Sequence, residues 1–167
     1  FASGGALTNP ILIRQVITPK GETIRYENKS RQVNTPQQIY LMTSILKDVV
    51  SHGTGTPARV GGMEIAGKTG TTNKNVDAWF VGYSPTVETV VWFGHDDNTP
   101  MRRSETGGRA AGPVFRYYYE DMMRIYPNTK RYFDLPAGVY RAPTNATDAN
   151  ATEEFTDTSS APDVTQE

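Results

Sequence analysis

The stretch GGMEIAGKTGTT, residues 61–72, contains the residue types whose spacing points most directly to chemistry. Gly62 to Thr69 fits G-x-x-x-x-G-K-[ST], the loop whose backbone amides and lysine bind nucleotide phosphates. Lys68, Thr69 and Gly70 also form K-T-G, which sets an ammonium group, a hydroxyl and a position without a side chain side by side. The two interpretations use the same lysine for different chemistry.

The phosphate-loop interpretation depends on its neighbours. It requires a buried strand before the first glycine and a helix that starts at the Lys-Thr pair. Residues 53–62 (GTGTPARVGG) are punctuated by glycine and proline, which predicts a loop. Residues 70–75 (GTTNKN) combine glycine, β-branched residues and turn formers, which do not start a helix. A P-loop NTPase is therefore a remote alternative.

The strand interpretation fits the same residues better. Residues 63–66 (MEIA) alternate as in a strand, and an extended chain places Lys68 and Gly70 on one face and Thr69 and Thr71 on the other. Such a strand can pair with an extended peptide. The lysine supplies positive charge for a carboxylate and for proton handling, while a threonine hydroxyl can bind a carboxylate. A strand N–H can stabilise an oxyanion. The candidate catalytic and substrate-binding residues are Lys68, Thr69, Gly70 and Thr71.

The elements that must position this strand are predicted from capping signals and hydrophobic periodicity. A helix is predicted to start after Thr35, because Thr35 and Gln38 can form a capping box and Pro36 suits the first position of a helix. Its predicted apolar face is Ile39, Met42, Leu46, Val49 and Val50, and Gly53 is predicted to end it as a left-handed residue. The remaining predictions are a hairpin (11–17 and 23–26), three antiparallel strands (63–72, 77–83 and 87–94), and a second helix from 109–112 to about Tyr126. The second and third of these strands are apolar on both faces, as expected for a sheet that is covered on both sides.

Composition excludes several classes of function. The 167 residues are enough for one domain with a core, and the absence of cysteine rules out disulfides and cysteine-ligated zinc. With only two histidines and no cofactor motif, we expect neither a metal nor a cofactor. Residues 142–167 hold six acidic and no basic residues, and the rest of the chain carries a net charge of +5. That charge suits anionic substrates and is too small to indicate nucleic-acid binding.

Two regions are therefore expected: a domain over residues 1–141 and a disordered, acidic, Thr/Asn-rich tail over 142–167. The tail contains the sequons Asn145-Ala-Thr147 and Asn150-Ala-Thr152. Sequons are frequent by chance in such compositions, so the sequence favours an unmodified Asn150. No apolar run is long enough to span a bilayer. A chain that begins at Phe1, without an initiator methionine or leader, suggests a piece of a longer protein.

Longer matches surround the K-T-G tripeptide. AGKTGTTNKNVDAWFVGYSP, VVWFGHDD and TGGRAAGPVF follow one another from residue 66, and LKDVVSHGTGTPARV and FASGGALTNPILIRQVITPKG precede them. Together they resemble the C-terminal half of the transpeptidase domain of class A penicillin-binding proteins, in the same order over about residues 1–140. The resemblance implies an α+β fold of the serine β-lactamase/transpeptidase type, with an antiparallel sheet flanked by helices.

The resemblance also implies a function. In this family a serine at a helix N-terminus attacks a D-Ala-D-Ala peptide of peptidoglycan, and a second stem peptide resolves the acyl-enzyme. By the match, Lys68 polarises the site, Gly70 gives clearance, Thr69 and Thr71 contact the carboxylate of the substrate or β-lactam, and the Thr71 N–H serves the oxyanion hole. The parent would act on the periplasmic side of the inner membrane through an upstream anchor. Class A members also carry a glycosyltransferase.

The nucleophile's S-x-x-K motif and the middle motif of the family should lie upstream of K-T-G. Ser44 and Lys47 match S-x-x-K, but Ser44 is predicted mid-helix and facing solvent, away from any helix N-terminus. Tyr26-Glu27-Asn28 mimics the middle motif at the end of a predicted hairpin. We therefore expect the nucleophile to lie outside this chain, whose partner is the remainder of its own domain. The alternative is a non-catalytic peptidoglycan-binding or β-lactam-sensing module of the same fold.

Overall fold

The computed structural model of the protein describes residues 1–141 and 155–157. Within them the chain forms β1 (Ala6–Thr8), β2 (Gln15–Ile17), β3 (Thr23–Arg25), β4 (Ser30–Gln32), α1 (Pro36–Ser51), β5 (Ala66–Thr71), β6 (Asp77–Tyr83), β7 (Glu88–Gly94), α2 (Gly112–Ile125), β8 (Val139–Arg141) and β9 (Phe155–Asp157). Most of the predicted tail and both sequon asparagines lie outside the described residues. No helix in the described part is long and apolar enough to cross a membrane.

Helix α1 begins as the sequence predicts. Thr35 Oγ1 accepts from the Gln38 N–H at 3.3 Å, and Gln38 Oε1 accepts from the Thr35 N–H at 3.0 Å. The predicted end is wrong, because Gly53 has no positive φ and the helix is capped by His52 at φ −130°. Close approach explains the glycine: a Cβ on Gly53 would lie 2.9 Å from the carbonyl oxygen of Val49.

The buried face of α1 is rotated from the predicted one. Ile39, Tyr40, Thr43 and Val50 are buried, whereas Met42, Leu46 and Val49 are half-buried. A hydrogen bond of 2.9 Å between the hydroxyls of Thr43 and Tyr83 turns that polar position inward. Ser44 is consequently half-buried, so its predicted orientation toward solvent is wrong. The orientation of α1 thus depends on Tyr83, which is distant in the sequence, and helical periodicity contains no information about such a partner.

Strands β5, β6 and β7 form the predicted antiparallel meander, with β6 in the centre. The register sets Lys68 opposite Val81, and Gly70 opposite Trp79. Strand β5 starts at Ala66, three residues later than predicted, because the preceding Glu64 N–H donates to the carbonyl of Arg131 at 2.8 Å. Among the described residues, the outer edge of β5 has no strand partner.

One face of this sheet packs against α2. Phe80 and Phe115 are fully buried and meet edge to face with centroids 4.8 Å apart, and Phe115 stacks on Tyr119 at 4.4 Å. Burial raises the pKa of the Tyr119 phenol, whose hydroxyl donates to the carbonyl of Val87 at 2.6 Å. The buried cluster consists of Val50, Ala58, Val60, Met63, Ile65, Phe80, Ala111, Phe115, Tyr119 and Met122.

The opposite face of the sheet is open, although the sequence predicts that both faces are covered. Trp79, Val81, Val90 and Trp92 share this face and are 37%, 40%, 54% and 42% exposed. The two indole rings lie 6.1 Å apart between centroids. Within the described residues the sheet is therefore covered on one side only, and Lys68 and Gly70 belong to the uncovered side.

The predictions of the hairpin and of the second helix are also confirmed. Strands β2 and β3 form the hairpin, whose turn closes with the Gly21 N–H donating to the Thr18 carbonyl at 2.9 Å and Gly21 at φ 85°. Tyr26 follows this hairpin and is 51% exposed, as expected for a surface position. Helix α2 occupies the predicted region and is preceded by a π-helical turn at Gly107–Ala111.

Candidate active site

The K-T-G tripeptide lies on an edge strand. Strand β5 covers Ala66–Thr71, and the residues after it form a short turn at Asn73–Asn75 and then β6. No helix starts at Lys68 and Thr69, so the geometry that a nucleotide-binding loop requires is not formed there. The structure confirms that K-T-G lies on a strand.

Lys68 lies along the free edge of β5. Its side chain is exposed, and its ammonium group donates to the carbonyl oxygen of Thr69 at 2.9 Å and to Thr69 Oγ1 at 3.2 Å. These two bonds use two of its three donors. A positive charge with a donor to spare is thus fixed beside the backbone of the edge strand.

Thr69 and Thr71 project from the face opposite to Lys68 and Gly70. Thr69 Oγ1 lies 2.8 Å from Thr54 Oγ1, in the loop after α1. Thr71 Oγ1 accepts from the Gly107 N–H at 3.1 Å. Because a hydroxyl both donates and accepts, the Thr71 hydrogen stays available for a ligand.

Gly107 brings a second loop against the strand. A Cβ on Gly107 would lie 2.2 Å from the Trp79 carbonyl oxygen and 2.5 Å from that of Gly70. Only a residue without a side chain fits between these two backbones. Close packing therefore explains the glycine at this position, and the Gly107 N–H lies within hydrogen-bond distance of Thr71 Oγ1 as a result.

The same loop is tied to the turn after β5. The Asn75 side-chain amide donates to the carbonyl of Glu105 at 3.3 Å and also to that of Arg102, and the Met101 N–H donates to the carbonyl of Asn75 at 2.9 Å. Glu105 in turn accepts from the Arg102 N–H at 2.8 Å. These bonds hold residues 101–107 and the end of the K-T-G strand as one unit.

The family model for the penicillin-binding protein transpeptidase domain matches residues 1–120. The chain belongs to this family. Penicillin-binding protein 1A of Aquifex aeolicus (strain VF5) is 36% identical over 138 residues, which is 81% of this chain and 19% of that protein. The chain thus spans about a fifth of that relative's length.

Solved structures agree on the fold. The crystal structure of penicillin-binding protein 1A from Haemophilus influenzae matches 96% of this chain and 30% of its own, with a TM-score of 0.69 at 18% identity. The imipenem acyl-enzyme complex of penicillin-binding protein A from M. tuberculosis matches 71% of this chain and 28% of its own, with a TM-score of 0.54 at 26% identity. The predicted α+β transpeptidase fold is confirmed.

Two serines of α1, Ser44 and Ser51, lie near a lysine or a histidine in the sequence. Ser44 lies in the interior of α1, and Lys47, the lysine of its S-x-x-K match, is paired with Glu64 at 2.7 Å. Ser51 and Asp48 both bind the same nitrogen of His52, Nδ1, at 2.9 and 3.0 Å. A serine relay needs the serine and the carboxylate on different ring nitrogens.

Sequence reasoning missed Thr54 as a neighbour of Thr69 and the Gly107 N–H as a neighbour of Thr71. Both lie in glycine-rich segments, GTG at residues 53–55 and TGG at 106–108. Glycine predicts close backbone approach but does not reveal which segment approaches which. Among the described residues, no group of His, Asp and Glu side chains is arranged to hold a metal ion.

Proposed function

We propose that the parent of this chain is a peptidoglycan D,D-transpeptidase, and that the chain supplies the K-T-G wall of its active site. The observation that supports this most is the outer edge of β5, which has no strand partner among the described residues and beside which the Lys68 ammonium and the Thr69 and Thr71 hydroxyls lie. A stem peptide would pair with this edge through its backbone. The imipenem acyl-enzyme of the M. tuberculosis relative supports β-lactams as ligands of the same site.

The reaction assigns a role to each group. A serine oxygen loses its proton as it attacks the penultimate D-Ala carbonyl carbon, and the C–O bond forms. The bond to the terminal D-Ala nitrogen breaks as that nitrogen takes up the proton from the serine. The Thr71 N–H and the nucleophile's own N–H stabilise the oxyanion. Lys68, Thr69 and Thr71 bind the terminal carboxylate, and Gly70 leaves clearance. An amine of a second stem peptide then attacks the ester carbonyl carbon, a C–N bond forms, and the C–O bond breaks as the serine oxygen takes up the proton that the amine loses.

The nucleophilic serine is proposed to lie outside this chain, together with the middle motif and a glycosyltransferase. The parent is proposed to act on the periplasmic side of the inner membrane, with its anchor also outside these residues. A non-catalytic peptidoglycan-binding or β-lactam-sensing module remains the alternative, because the K-T-G wall alone would serve binding as well as catalysis.

Intact mass after exposure to benzylpenicillin tests the proposal. We expect a single penicilloyl adduct on a chain extended toward its N-terminus through the S-x-x-K motif, and none on the 167-residue chain. An adduct on the short chain would identify Ser44 or another serine here as the nucleophile. No adduct on either chain would favour the binding module.

The remainder of the transpeptidase domain is the proposed partner of the open sheet face. Four apolar side chains are exposed there beside Lys68, and an apolar cover over them would also bring the missing half of the site to the K-T-G strand. Both faces of β6 and β7 carry apolar residues, as in a sheet covered on both sides.

Tryptophan fluorescence checks this docking, because the chain has two tryptophans and both lie on the open face. We expect the emission maximum of the extended chain to shift to shorter wavelength, and acrylamide quenching to decrease, relative to the 167-residue chain. Trp79→Phe and Trp92→Phe, measured separately, assign the shift to each ring. Identical emission and quenching in the two chains would show that this face stays open.

A further inference from the structure

Thr54 is held in a loop that packs directly behind the K-T-G strand. Its glycine neighbours allow the approach: the Gly55 N–H donates to the carbonyl of Val49 at 3.0 Å, and a Cβ on Gly55 would lie 3.3 Å from the Phe80 ring. On the other side, a Cβ on Gly108 would lie 2.5 Å from the Thr54 carbonyl oxygen. Thr54 is therefore fixed between two segments and meets Thr69 through its hydroxyl.

The hydrogen bonds form a chain of three groups. Lys68 Nζ donates to Thr69 Oγ1 at 3.2 Å, and Thr69 Oγ1 lies 2.8 Å from Thr54 Oγ1. An ammonium group can only donate, whereas a hydroxyl has one hydrogen and two acceptor positions. Thr69 therefore accepts from Lys68, and its own hydrogen points either to Thr54 or to a ligand.

The direction of the Thr54–Thr69 bond decides whether Thr69 can bind a carboxylate. If Thr54 donates, both acceptor positions of Thr69 are filled, and the Thr69 hydrogen is left for an anion. A carboxylate accepts strongly, and donors that polarise one another in sequence strengthen the last bond of the chain. Without the Thr54 hydroxyl, Thr69 loses this second donor.

We propose that Thr54 is a positioning residue, which donates to Thr69 when a ligand binds and so directs the Thr69 hydrogen to the ligand carboxylate. This inference rests on the proposed transpeptidase function, because Thr69 is the group that would touch the carboxylate. Thr71 has an equivalent donor in the Gly107 N–H, so Thr69 and Thr71 each have a neighbouring group that can donate to the hydroxyl.

The test uses the extended chain and two probes, benzylpenicillin and its methyl ester, which lacks the free carboxylate. We expect Thr54→Val to lower the acylation rate constant for the free acid by about tenfold, the loss of one charge-assisted hydrogen bond. The rate for the ester is expected to change by less than about twofold, since the ester carries no charge for Thr69 to bind. Thr54→Ser restores the hydroxyl and should recover most of the rate for the acid. Thr86→Val, at a turn away from β5, is the matched control.

Other outcomes have definite meanings. Equal rates for the wild type and Thr54→Val with the free acid would overturn the proposal. So would a loss of the same size for acid and ester that Thr54→Ser does not repair, because that pattern means a structural role. If the wild type itself forms no adduct with either probe, the transpeptidase proposal fails first, and the role of Thr54 falls with it.

Discussion

Lys68→Ala in the extended chain is expected to lower the rate constant of acylation by benzylpenicillin by about 10²–10³-fold, the loss typical of one fixed electrostatic group. The ammonium is held at the free edge of β5 by its bonds to the Thr69 carbonyl and hydroxyl. Alanine removes the positive charge and also the donor to Thr69. The remaining threonine hydroxyls can still bind a carboxylate, so residual acylation should persist.

Two further variants test whether a loss of rate in Lys68→Ala comes from the ammonium group at this position. Lys20→Ala removes an exposed lysine from the β2–β3 turn and should leave the rate within about twofold, as surface changes usually do. Lys68→Arg keeps the charge but replaces a compact ammonium with a planar fork, and we expect an intermediate rate. Acylation of Lys68→Ala at the wild-type rate would contradict the role given to Lys68. The proposed function would then depend on Thr69 and Thr71 alone.

The local features of the site were predictable from the sequence. Whether K-T-G lies on a strand or starts a helix depends on the adjacent residues, and those residues are β-branched or turn-forming. The start of α1 was equally local, since Thr35 and Gln38 satisfy each other's backbone groups within one turn. Alternation along β5 then predicted Lys68 on one face and Thr69 and Thr71 on the other.

The predictions that were wrong concern features that depend on contacts between residues far apart in the sequence. The orientation of α1 follows from a bond between Thr43 and Tyr83, forty residues apart. Gly53 fits the usual pattern of a helix end, yet its backbone is not left-handed and its role is close packing on Val49. Thr54 contacts Thr69 only because two glycine-containing loops meet there, and hydrophobic periodicity does not predict which loops meet.

The glycines beside the site show why this matters for function. An unpaired strand edge with a lysine is a common surface feature, and one that recognises a carboxylate needs its hydroxyls held in fixed directions. Here the loops that contain Thr54 and Gly107 hold Thr69 and Thr71 from the side away from Lys68. The proposed recognition surface therefore depends on close approach of the backbone, which the absence of a side chain at the glycines allows.

Gly107→Ala is accordingly expected to damage both stability and the site. The added Cβ would lie 2.2 Å from the Trp79 carbonyl oxygen and 2.5 Å from the Gly70 carbonyl oxygen, and neither backbone can rotate away as a side chain could. The loop must retreat, which breaks the bond from the Gly107 N–H to Thr71. We expect a loss of about 1–3 kcal/mol in the free energy of unfolding, as for other overpacked positions, measured by urea denaturation of the 167-residue chain.

Gly61→Ala is the matched control, since a Cβ on Gly61 would meet no heavy atom within 4 Å and the φ of this residue is not positive. It should leave stability unchanged or slightly raised, because alanine restricts the unfolded chain. In the extended chain, Gly107→Ala should also slow acylation by benzylpenicillin, whereas Gly61→Ala should not. A stable Gly107→Ala chain that acylates normally would mean that the loop does not hold Thr71. A destabilised chain with a normal rate would separate the packing of this loop from recognition of the carboxylate.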